Sequence, residues 1–304
     1  MKYFNKILIV AFLFAIVGPK TSWAEDALPV FVSIPPQKYF VEKIGGNRVS
    51  VSIMVTPGSN PHSYEPKPGQ MATLAKAKIY FAVGITFEDA WLGRFADLNP
   101  RMRIVHTEEG IEKIPMAPHG HRDGDRSVRD RSVHSANQKD DEGTKDPHVW
   151  LSPLNGLIMA KNILKALQDQ DPSCAETYED NYKKLAPEIE SLDAELRSLF
   201  ENKKGLKFMV FHPAWGYFAK AYGLVQVPIE VEGKEPKPSQ LAELIRLARR
   251  EKITVIFVQP QFSPRSAETI AKEIGGRVVM ADDLSPDWAE NLREQARKFI
   301  SALK

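Results

Sequence analysis

Three histidines and an aspartate stand where a side chain could hold a metal ion. His62 lies in Pro61-His62-Ser63-Tyr64-Glu65-Pro66, and His148 in Asp146-Pro147-His148-Val149-Trp150-Leu151-Ser152-Pro153. His212 lies in Phe211-His212-Pro213-Ala214-Trp215, and Asp282 opens Asp282-Asp283-Leu284. Three imidazoles with one carboxylate match the preference of zinc for nitrogen plus one oxygen in four-coordinate geometry. The intervals of 86, 64 and 70 residues fit no local zinc motif. On spacing alone each histidine therefore also reads as a hydrogen-bonded turn residue, and Asp282 as a helix cap or loop carboxylate, with Asp283 beside it as a second candidate.

The elements that must position these residues alternate between strand and helix. Expected strands are 30–34, 49–55, 79–83 and 103–105 in the first half, then 206–211, 225–229, 254–258 and 277–280 in the second. Expected helices are 37–44, 70–78, 87–98 and 154–167, then 213–222, 239–250, 264–274 and 286–303. Such alternation favours parallel α/β sheets. Between the halves runs a helical tract, 172–203, longer than the ~8 to 20 residues of an ordinary globular helix, with Pro187 expected to kink or divide it. The expected fold is two α/β lobes with parallel sheets joined by a long connecting helix. Residues 25–171 form the first lobe, 172–203 the connector and 204–304 the second lobe. His62, His212 and Asp282 each follow the carboxyl end of an expected strand, where open α/β sheets bind ligands. His148 precedes a helix for which Ser152 reads as N-cap and Pro153 as first residue. With ligands on both lobes, the meeting place is the inter-lobe cleft.

The 304 residues suffice for two domains without covalent staples. Residues 1–24 place Lys2 and Lys6 before an apolar run, Ile7 to Val17, and end in Ser22-Trp23-Ala24, the pattern of a cleaved secretory signal. Its removal takes three lysines and no acid, so 41 basic residues fall to 38 against 39 acidic, a net charge of −1. No clustered basic face suggests nucleic acid. The single Cys174 can make no intramolecular disulfide. From about 115 to 145 the apolar pattern vanishes, and His119, His121 and His134 sit in a polar stretch expected to be a mobile insertion. No G-x-G-x-x-G follows a strand, which removes the usual dinucleotide fingerprint.

Four tracts in order carry a family resemblance: Thr56-Pro57-Gly58-Ser59-Asn60-Pro61-His62-Ser63-Tyr64-Glu65-Pro66, Asp146 to Pro153, His212-Pro213-Ala214-Trp215-Gly216-Tyr217-Phe218 and Gln259-Pro260-Gln261-Phe262-Ser263. The chain resembles the metal-binding substrate-binding proteins of bacterial ATP-driven importers, and within them the periplasmic zinc-uptake branch. The resemblance spans nearly the whole mature chain. It implies metal in the cleft with His62, His148 and His212 as ligands, Zn2+ as cargo, and an inner-membrane permease as partner. Manganese-type members are expected to carry glutamate where this chain has His212. Two departures stand out: the loop before His148 is poor in histidine, and the family's closing Asp-Pro-Leu is Asp282-Asp283-Leu284 here. Glu232 and Glu235, in a tract like the family's Glu-Pro-Ser-Pro element, read as rim or helix-entry residues. The expected function is capture of Zn2+ in the periplasm by a monomer. The alternatives are manganese or iron cargo, or metal-assisted hydrolysis with Asp282 or Glu65 as base, for which no H-E-x-x-H helix is present.

Overall fold

The computed structural model describes residues 27–116, 145–231 and 233–303. The expected signal segment, nearly all of the polar insertion with His119, His121 and His134, and Glu232 lie outside them. The first lobe contains β1 (Leu28–Val32), α1 (Pro35–Gly45), β2 (Val49–Ile53), α2 (Pro68–Leu74), β3 (Ile79–Ala82), α3 (Phe87–Leu98), β4 (Arg103–His106) and α4 (Pro153–Gln170). The connector is α5 (Ala175–Leu199). The second lobe contains β5 (Lys207–Val210), α6 (Gly216–Tyr222), β6 (Val225–Pro228), α7 (Pro238–Arg250), β7 (Val255–Val258), α8 (Arg265–Ile274), β8 (Arg277–Met280) and α9 (Trp288–Ala302).

The two sheets share one topology, β2-β1-β3-β4 and β6-β5-β7-β8, with every pairing parallel. Val30 pairs with Val51 on one side and Ile79 on the other. β3 and β7 are buried along their whole length. That explains why their sequences, Ile-Tyr-Phe-Ala and Val-Ile-Phe-Val, run apolar without alternation: helices cover both faces of a parallel sheet. In both sheets the strand order reverses at the first strand, the switch point beyond which such sheets bind ligands.

Some boundaries differ from expectation for local reasons. α2 stops at Leu74, short of Lys78, because the Asn99 side chain donates to the carbonyls of Leu74 (3.1 Å) and Ala77 (2.8 Å). α6 starts at Gly216, later than Pro213, because the Ala214 N–H closes a tight turn on the His212 carbonyl (2.8 Å). α5 runs through Pro187 as one helix. Pro187 is exposed, so the carbonyl it leaves without a helical donor can turn to water. The helix buries Tyr178, Leu185, Ile189, Leu192 and Leu196, one stripe at helical spacing.

α9 is a second bridge between the lobes. At its start Trp288 packs on Phe40 of α1, ring centroids 4.6 Å apart, and near its end Phe299 packs on Phe208 and Phe257 of the second lobe. One apolar cluster consequently runs through both lobes, and a smaller one lies under α7 and α8. Among the described residues no helix is long and apolar enough to cross a membrane.

Candidate metal centre

His62 sits in the loop leaving β2. Gly58 takes φ 78°, a left-handed conformation that suits glycine, and Ser59 N–H returns to the Thr56 carbonyl (3.1 Å). Asn60 Oδ1 then accepts the His62 N–H (2.9 Å), which sets the residue's backbone. His148 is fully buried and leads into a short 3-10 turn, Val149–Leu151. Asp146 Oδ1 accepts both its backbone N–H (2.9 Å) and its ring Nδ1–H (2.7 Å). Ser152 occupies the N-cap position with Pro153 following, but the serine side chain makes no capping bond. His212 follows β5, and the Gln259 side-chain amide clamps it, accepting its N–H (3.2 Å) and donating to its carbonyl (2.7 Å).

These three loops bring the ring Nε2 atoms together. The separations are 3.2 Å for His62–His148, 3.0 Å for His62–His212 and 3.1 Å for His148–His212. Each opposite ring nitrogen has an oxygen partner: Thr86 Oγ1 for His62 (3.2 Å), Asp146 Oδ1 for His148 (2.7 Å) and Glu230 Oε1 for His212 (2.7 Å). With Nδ1–H donating outward, the Nε2 lone pairs point at one another, which repels unless a cation lies between them. Tetrahedral zinc with Zn–N of about 2.0–2.1 Å sets its nitrogens ~3.3–3.4 Å apart, close to this triangle. Burial, then the neighbouring imidazoles, pushes His62 down to about 2, and burial followed by His212 holds His148 well below its usual value. Both rings are therefore neutral, the form that binds metal. Burial raises Asp146 to about 7 against the opposing pull of its bond to the His148 amide.

Among the described residues these three histidines form the only group of metal-capable side chains brought together. Asp282 is not part of it. Its Oδ1 accepts the Leu284 N–H (2.8 Å), and its charged neighbours are Lys298 and Glu294 of α9. Asp283 is the buried one of the pair, accepting from Gln261 Nε2 (2.7 Å) and feeling His212. Glu235 pairs with Ser266 near α8, away from the histidine cluster. Sequence reasoning missed Thr86 and Glu230, and gave Gln259 no role beyond its place in a resembling tract. Glu230 carried a signal, since it follows the end of β6 on the same sheet edge as His212.

The family model described as zinc-uptake complex component A, periplasmic, matches residues 30–302. The chain belongs to this family. A crystal structure of a ZnuA deletion mutant with zinc bound is 39% identical in sequence with a TM-score of 0.81, the match covering 92% of this chain and 99% of that one. The iron ABC transporter substrate-binding lipoprotein MtsA of Streptococcus pyogenes is 31% identical over 270 residues, 85% of this chain and 80% of that protein. The manganese ABC transporter substrate-binding lipoprotein PsaA of Streptococcus mitis is 28% identical over 282 residues, 88% of this chain and 85% of that protein. The protein is a substrate-binding protein of a metal ABC transporter, and such proteins carry cargo to a membrane permease rather than catalyse a reaction.

Proposed function

We propose that the cargo is Zn2+, bound by Nε2 of His62, His148 and His212 and delivered from the periplasm to an inner-membrane ATP-driven permease. In this reading residues 1–24 are a cleaved signal and the carrier is a monomer. The observation that carries it is the convergence of three imidazole nitrogens, each oriented by an oxygen on its far side. An all-nitrogen trio suits zinc better than manganese, which favours oxygen-rich sites, and iron as Fe2+ stands below zinc in affinity for such ligands. The fourth position falls to water, or to Asp282 or Asp283 after a shift of its loop, since neither carboxylate belongs to the histidine group. Competition calorimetry on untagged protein should give one Zn2+ per chain that displaces Mn2+ and Fe2+ quantitatively. Equal or tighter binding of Mn2+ would overturn the assignment.

The raised carboxyl of Asp146 gives this binding a pH dependence. As pH falls through about 7 the free protein protonates Asp146. A bound dication favours the ionised form, so the metal must expel that proton. Zinc affinity is expected to fall with pH below 7 by up to about tenfold per pH unit. Asp146→Asn, which keeps an acceptor for His148 but no charge, should weaken binding at pH 8 by roughly 10–100-fold and flatten the slope. An unchanged slope in Asp146→Asn would place the titrating group elsewhere.

A further inference from the structure

Glu88 is a carboxylate buried in the first turn of α3, outside the metal centre and only 2% exposed. Its Oε1 accepts from Val83 N–H (2.9 Å) and from the Ser33 hydroxyl, and its Oε2 accepts from Gly84 N–H (2.8 Å). Ser33 in turn meets the Tyr80 hydroxyl (2.7 Å). These bonds tie the carboxyl ends of β1 and β3 to the turn 83–86, in which Gly84 takes φ 76°. The turn ends at Thr86, whose Oγ1 meets His62 Nδ1. Of the three histidines, His62 is the most exposed and has a neutral hydroxyl as its far-side partner, where His148 and His212 have carboxylates. Its orientation therefore depends most on how firmly that partner is held.

We propose that Glu88 is a positioning residue for the metal centre: by holding the Val83 and Gly84 amides it fixes Thr86, and through Thr86 the ring of His62. The inference rests on the three-histidine zinc site described above. A carboxyl group suits this place because each of its two oxygens accepts from a backbone N–H. In Glu88→Gln, whichever way the amide turns, its NH2 group faces Val83 N–H or Gly84 N–H, donor against donor, and the turn must shift.

The test is a double-mutant cycle read by zinc calorimetry, with thermal unfolding as the check on folding. Glu88→Gln should weaken zinc binding about tenfold, the lower end for residues that orient metal ligands. In a His62→Ala background the same change should have no further effect, because the ligand it acts through is gone. Thr86→Val, at an exposed position, should reproduce the loss and likewise add nothing to His62→Ala. Glu88→Asp keeps the carboxyl group but is too short to hold both amides, so it should match Glu88→Gln and serves if that variant does not fold. An unchanged affinity in the Glu88 variants, or an equal loss with and without His62, would overturn the inference. Failure of the wild-type chain to bind zinc would instead defeat the zinc assignment itself.

Discussion

Trp288→Ala loses about 3–5 kcal/mol of unfolding free energy, the range for deleting a large buried aromatic. Trp288 is 1% exposed and packs at a tilt against Phe40 and Tyr39 of the first lobe although it begins a helix of the second. The fit is close enough that a Cβ added at Gly156 of α4 would lie 2.8 Å from the Trp288 ring. Its Nε1–H also donates to the Trp150 carbonyl (2.7 Å), while Trp150 Nε1–H donates to the Asp283 carbonyl (2.7 Å). Two segments of the second lobe thus hold Trp150, which sits two residues after His148. Removing the ring opens a cavity between the lobes and strips a buried carbonyl of its donor. Urea unfolding of the metal-free protein measures the loss. A change below about 1 kcal/mol would mean that α9 does not clamp the lobes.

Much of this was legible in the chain because parallel strands covered on both faces are written as unbroken apolar runs. β3 and β7 carry no charged residue, and the expected strands match them to within a residue. Once the strands are placed, His62 and His212 fall after carboxyl ends, and their convergence follows from the topology. Other features depended on contacts between residues distant in sequence. The role of α9 as a second bridge rests on Trp288 meeting Phe40, a contact that no local pattern encodes. The helix is not divided at Pro187 because it turns that residue to solvent. Asp282 and Asp283 each hold a local partner, the Leu284 amide and the Gln261 side chain, which no sequence pattern announces. Likewise Thr86 looks like an ordinary loop residue until the fold sets it behind a histidine ring. The sequence pattern marks the ends of strands; it does not say which polar side chain there turns inward.

His148→Ala tests the central claim most directly. His148 is the fully buried member of the trio, aligned by Asp146 through two bonds and packed against Trp150, ring centroids 5.2 Å apart. Alanine deletes its nitrogen and leaves the Asp146 carboxylate without the ring N–H it accepts, at a site too enclosed for another side chain to replace the ligand. Apparent zinc binding energies of about 10–16 kcal/mol shared over four ligands come to roughly 3 kcal/mol per ligand, or ~100-fold in affinity. Calorimetric titration of untagged wild-type and His148→Ala protein with Zn2+, at pH 7.5, makes the comparison. The expected result is one tight site in the wild type and a loss of about 100-fold or more in the variant. An unchanged affinity in His148→Ala would contradict the three-histidine centre and the function built on it.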